Sequence, residues 1–174
     1  MERRGFTLVE LLIVLAVGSI LLAIAVPGYG FLVNSSRLAT VTNDLVTALH
    51  LARSEAIKRG TRVTVCKTGN AGAATPVCDA AAGWHEGWLV YVDGGARGVI
   101  DAGDTLLRVQ ERAHTEVNIT ANHHISHFIS YLPNGRPQGL TSLGNGTFAI
   151  CVSGSRRDIV INNAGRPRLV SGSC

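Results

Sequence analysis

Two arginines set two residues apart, Arg166 and Arg168, stand near the end of the chain in "NNAGRPRLVSGSC". Alternate residues of an extended chain point to the same side, about 6–7 Å apart at strand rise. That is close to the spacing of successive phosphates on one nucleic-acid strand, and each guanidinium presents a two-pronged fork to phosphate oxygens. Pro167 stiffens the link between them. From Gly135 onward the cations are Arg136, Arg156, Arg157, Arg166 and Arg168, with no lysine and with Asp158 as the one acid. Arginine without lysine suits bidentate phosphate contact. Asn134-Gly135-Arg136-Pro137 echoes the tail, with Gln138 where a second arginine would stand, which makes Arg136 a secondary contact. No aromatic residue lies in the tail, so base stacking is not indicated and contact would be led by phosphates without sequence preference.

The other reactive residue types form weaker patterns. Asp93, Asp101 and Asp104, with Gly94, Gly95 and Gly103, have the composition of a cation loop without EF-hand spacing, and read as turn-forming acids. His114, His123, His124 and His127 are close in sequence. On a strand over 122–128, His123 and His127 would share one face and His124 the other, so one metal ion would not collect them all. No metal or cofactor is expected. GxSxG, P-loop and GxGxxG patterns are all absent, and the chain is not expected to be an enzyme. Four cysteines allow three pairings, of which the sequence-local one, Cys66–Cys78 with Cys151–Cys174, is favoured. A four-cysteine zinc site lacks the expected CxxC pair. The second bridge would enclose Arg156, Arg157, Arg166 and Arg168 and fasten the C-terminus to a strand.

The elements that must position these groups begin with a long apolar run. Phe6 to Val26 contains one charge, Glu10. As a helix its 21 residues reach about 32 Å, enough for a hydrocarbon core of roughly 30 Å. The run exceeds the h-region of a cleaved signal, about 7–15 residues. Arg3 and Arg4 before it place the N-terminus in the cytoplasm and everything after Tyr29 outside, where disulfides are permitted. The two arginines and two glutamates before Tyr29 cancel, so the outer part carries the whole net charge of +4. An acid in a membrane helix is a functional hypothesis that needs a partner. No Lys, Arg or His lies between Phe6 and Val26, so that partner is expected from another chain or from a terminus. Pro27, Gly28 and Gly30 are expected to break or kink the helix. Beyond them Leu38, Val41, Leu45, Leu49, Ala52 and Ala56 form the apolar stripe of an amphipathic helix that stops at Gly60. Strands are expected at 61–66, 88–92, 106–110, 116–120, 125–132, 147–152 and 158–162, separated by Gly, Asn and Pro turns, with a loop over 68–83. One helix followed by many short strands gives an α+β class with an antiparallel sheet wrapped on the helix.

Gly5-Phe6-Thr7-Leu8-Val9-Glu10 ahead of this apolar run resembles the signal of type IV pilins and secretion pseudopilins. The resemblance implies a pilin fold, with a leader over 1–5, a transmembrane and filament-core helix over 6–28, and a periplasmic head over 29–174 that includes the amphipathic helix to about 59. It implies cleavage between Gly5 and Phe6 by a prepilin peptidase, methylation of Phe6, and subunit packing supported by Glu10. "GWHEGWLVYVDGGARGVIDAGDTLLRV", together with "ARSEAIKRG", is similar to the FimT/GspH family of minor pilins and pseudopilins. Gly165-Arg166-Pro167-Arg168 looks like the GRxR tail of FimT-type competence pilins, which implies binding of double-stranded DNA for uptake in natural transformation. The same family also contains structural minor pilins that prime or cap a pilus, and minor pseudopilins of type II secretion. Expected partners are therefore other major and minor pilins, the prepilin peptidase, the inner membrane before assembly, and DNA. The expected location is a single pass of the bacterial inner membrane, then the pilus at the cell surface.

Overall fold

The computed structural model describes residues 7–174, apart from the side chains of residues 24–28. Gly5 and Phe6, the expected processing site, lie outside the described residues. One helix, α1, runs from Leu8 to Arg59. The backbone nitrogen and hydroxyl of Thr7 donate to Glu10 Oε2 (both 3.3 Å), and the Thr7 hydroxyl accepts from the Glu10 nitrogen at 3.2 Å. This is a reciprocal capping box, in which Thr7 of the same chain hydrogen-bonds the Glu10 carboxylate without supplying a countercharge. Of the break or kink expected at Pro27, Gly28 and Gly30, the break is absent, since α1 continues through all three. A proline costs one intrahelical bond and a clash, which a long helix can absorb as local distortion. The helix ends at Gly60, whose φ of +65° and bond to the Ala56 carbonyl form a left-handed C-terminal cap.

The chain divides into a segment up to Ser36 and a compact head, Arg37–Cys174. In the segment, large apolar side chains such as Leu11, Leu15, Leu22 and Phe31 are each more than half exposed. Among the described residues no helix is long and apolar enough to cross a membrane. Phe6 and the side chains of residues 24–28, which belong to the expected span, are outside that description.

In the head, nine strands follow the helix: β1 (Val63–Lys67), β2 (Trp88–Val92), β3 (Thr105–Gln110), β4 (Val117–Ala121), β5 (Phe128–Tyr131), β6 (Pro137–Gln138), β7 (Gly146–Val152), β8 (Ser155–Ile161) and β9 (Pro167–Ser173). They make two antiparallel sheets, ordered β3-β2-β1-β5-β6 and β4-β7-β8-β9. Leu38, Leu45, Leu49, Ala52 and Ala56 of α1 share one core with Val65 and Ile129 of the first sheet and with Phe148, Ile150 and Ile159 of the second. The α+β architecture is the one read from the sequence. Two details differ. His123–Ile125 is a 3-10 turn rather than part of a strand, because Asn122 opens it by accepting the Ile125 nitrogen. The tail, where no strand was expected, forms β9 over Pro167–Ser173.

The acids of the 93–104 loop accept from its own backbone, and Asp93 also from two side chains outside it. Asp93, 1% exposed, accepts from Arg62 Nη2 (2.6 Å), the Thr64 hydroxyl (2.6 Å) and the Gly98 nitrogen (3.0 Å). Asp101 accepts from Ala96, and Asp104 from Gly94 and Asp101. They hold turns, and among the described residues no cluster of His, Cys, Asp and Glu could hold a metal ion. Disulfides join Cys66 to Cys78 and Cys151 to Cys174.

Candidate nucleic-acid interface

The tail arginines are carried by the β8–β9 hairpin. Its turn is built on Asn162, whose side-chain oxygen accepts from the nitrogens of Ala164 (3.1 Å) and Arg166 (3.0 Å). Gly165 then takes φ +75°, a left-handed conformation that favours glycine. A second turn repeats this chemistry: Asn134 accepts from the Arg136 nitrogen at 3.0 Å, and Gly135 takes φ +76°. Each turn reads Gly-Arg-Pro at its exit. The two are packed together, since a Cβ on Gly165 would lie 2.5 Å from the Gly135 carbonyl oxygen and 2.9 Å from the Tyr131 ring. The same carbonyl accepts from Arg53 Nε at 3.1 Å, so α1 is tied to this junction. Burial pushes the Tyr131 hydroxyl far above the usual phenol range, with Arg53 partly opposing it. Thus Arg136 and Arg166, thirty positions apart, leave adjacent turns, with Arg53 beside them.

The register places the rest. Arg168 lies opposite Val160, Val170 opposite Asp158 and Gly172 opposite Arg156. Cross-strand partners share a face, so Arg168, Arg156 and Asp158 stand on the side away from buried Ile159 and Ile161. Arg166 and Arg168 are both exposed. Arg156 is engaged differently. Its guanidinium makes two bonds to Asp158 (2.6 and 2.9 Å), which hold its pKa above the ordinary arginine value. Its charge is therefore compensated locally. Arg157 lies opposite Ser171, on the face that carries Ile159.

The arginines fall into two groups. Arg37, Arg59, Arg62, Arg108, Arg112 and Arg156 are in ion pairs with carboxylates. Among the described residues, Arg53, Arg97, Arg136, Arg157, Arg166 and Arg168 have no such pair; Arg97 instead donates to the Leu140 carbonyl and lies over the Phe128 ring. Four of these six, Arg53, Arg136, Arg166 and Arg168, gather at the junction of the two Gly-Arg-Pro turns and the strand that follows. Uncompensated cations on a rigid hairpin can neutralise phosphates. The contribution of Arg53 was not visible in the sequence, because it depends on α1 meeting the 133–136 turn. The repeat of Asn, Gly, Arg and Pro in both turns was the available signal of their pairing.

Comparison with known proteins fits the whole chain. Residues 41–165 match the family described as type II transport protein GspH, and residues 1–26 match the prokaryotic N-terminal methylation motif. The family match stops one residue before Arg166. The pilin-like protein PilA1 of Thermus thermophilus is 30% identical over 176 residues, covering 97% of this chain and 99% of that protein. The type IV minor pilin FimU of Pseudomonas aeruginosa has the same fold, with a TM-score of 0.59 at 20% identity over 80% of this chain and 94% of that one. So does the minor pseudopilin EpsH from the type 2 secretion system of Vibrio cholerae, with a TM-score of 0.53 at 12% identity over 78% and 97%. The chain therefore belongs to the GspH family of type IV minor pilins and type II pseudopilins.

Proposed function

We propose that this minor pilin binds double-stranded DNA through Arg166 and Arg168, with Arg136 as a further contact, and that it serves DNA uptake in natural transformation. The observation that carries the reading is the gathering of arginines without carboxylate partners at two packed Gly-Arg-Pro turns. Arg156 contributes little, because Asp158 already neutralises it. Arg157 stands on the other face of its strand and is at most a peripheral contact. Binding is led by phosphates and is independent of sequence. The subunit reaches the filament by the route its N-terminal motif implies: residues 6–28 anchor it in the inner membrane with the head in the periplasm, a prepilin peptidase cuts between Gly5 and Phe6, and Glu10 supports packing among pilins.

The test is a titration of duplex DNA with the full chain in detergent micelles, across a salt series, beside Arg166→Gln and Arg168→Gln. Three phosphate contacts give a slope of about −2.7 in log K against log salt, and each substitution lowers that slope by about one. Absence of binding at low salt, or equal binding by both variants, would remove DNA from the function. It would leave a subunit that primes or caps a pilus or pseudopilus.

A further inference from the structure

The two sheets have four edges, and three of them are blunted. β3 carries a register shift against β2 between Val90 and Tyr91, β6 is two residues long, and β4 packs against the 3-10 turn Trp84–Glu86. β9 is different. It pairs with β8 over seven positions without a bulge, and every residue from Arg168 to Cys174 is exposed. The Cys151–Cys174 bridge fixes its far end. Long, regular, uncovered edges invite pairing with another chain, and natural proteins usually block them.

The groups offered by this edge can be named. Arg166 bonds Asn162 at one end of the strand and Cys174 bonds Gly154 at the other. Opposed residues of an antiparallel pair alternate between bonded and non-bonded. Arg168, Val170 and Gly172 therefore bond β8. The N–H groups of Leu169, Ser171 and Ser173, and the carbonyls of Pro167, Leu169, Ser171 and Ser173, face the open side. Pro167 has no N–H to waste there. Leu169 is on the core-side face yet is 47% exposed, and Val170 on the other face is 38% exposed. Arg157 lies beside the edge on the first face and Arg168 on the second, both without a carboxylate pair among the described residues. A second copy of this chain would set like charges against each other across the new pair. A strand carrying carboxylates would be drawn to both.

We propose that the free edge of β9 receives an extended, acid-bearing strand of a different pilin-family subunit, which joins the second sheet as its fifth strand. Main-chain bonds supply the attachment, an apolar side chain covers Leu169, and carboxylates meet Arg157 and Arg168. The inference rests on the strand's open main chain and not on the DNA reading, with which it shares Arg168.

The experiment places the photocrosslinking residue p-benzoylphenylalanine at Ser173 of the full chain, in cells that assemble the filament. Illumination is expected to join it to another pilin-family subunit, with the joined peptide lying in an extended edge segment of that partner by mass spectrometry. Ser171→Pro removes one outward N–H while leaving the bonds to β8, and Leu169→Lys places a charge on the docking face. Each is expected to lower the crosslink yield about tenfold or more, the scale set by a lost backbone bond and the fit of its neighbours. Should Ser171→Pro fail to fold, Leu169→Lys carries the comparison. Absence of a crosslink, a crosslink only to a second copy or to a protein outside the pilin family, or a yield unchanged in the folded variants would overturn the proposal.

Discussion

Replacing Gly165 by alanine tests whether the two Gly-Arg-Pro turns are held by contact. Gly154 supplies the control, because its φ of +84° is similar but a Cβ there meets nothing within 4 Å. At Gly154 alanine pays only the left-handed conformation, about 1–2 kcal/mol, partly offset by the loss of about 0.4–1 kcal/mol of unfolded-chain entropy. The expected net loss is about 0.5–1 kcal/mol. At Gly165 the same terms apply, and the new Cβ must also be accommodated 2.5 Å from a backbone oxygen and 2.9 Å from a buried ring. Overpacking of that kind costs about 1–3 kcal/mol more. Gly165→Ala is therefore expected to lose about 1.5–4 kcal/mol in all. Urea unfolding of the full chain in detergent, followed by the fluorescence of buried Trp84 and Trp88, measures the difference. DNA affinity of the folded variant should also fall, because Arg136 and Arg166 no longer leave adjacent turns. If Gly165→Ala and Gly154→Ala unfold at the same urea concentration, the turns are not in contact and their pairing is refuted.

Further outcomes follow from other contacts. Asp93→Ala leaves Arg62 and Thr64 without their buried acceptor and should cost about 3–5 kcal/mol in the same unfolding assay. Replacing Cys151 and Cys174 together by serine should cost about 3 kcal/mol on the chain-entropy account, with hydrogen exchange quickening over residues 167–174 by mass spectrometry. Burial, together with the charges of Lys67 and His123, lowers the His127 pKa below its ordinary value. The unfolded chain then takes up the proton first, so this group's contribution is fully present above about pH 6.5 and is lost as the pH falls below it. His127→Gln should flatten the stability profile between pH 7 and 5, read as thermal midpoints; an unchanged slope would count against that burial effect.

The legible parts of the fold are those whose pattern is local. The stripe from Leu38 to Ala56 predicted the buried face of α1, and Gly60 its end, because period and cap act within a few residues. β2 falls at Trp88–Val92 as expected, for the same reason. β9 was hidden: Pro167, Gly172 and two serines give it little strand propensity, and it exists because β8 supplies a partner along its whole length. β6, two residues long, has no pattern to detect. Thr7 and Glu10 carried a capping signature that the apolar run obscured. In the candidate site, Arg166, Arg168 and Arg136 could be named from composition and spacing. That Asp158 neutralises Arg156, that Arg157 takes the other face, and that Arg53 joins the turns all depend on register or on distant packing.

The bridge between Cys151 and Cys174 also sets how the head answers a mechanical load. A pull applied at Arg166 and Arg168 would enter the molecule at the turn between β8 and β9. Without the bridge, tension would pass to β7 through β8 alone, and β9 could peel away with its free end. With it, β8 and β9 form two covalent routes that meet again in β7, an interior strand of its sheet. The loaded element is a closed ring, and it can yield only by breaking a covalent bond or by tearing β7 from its neighbours.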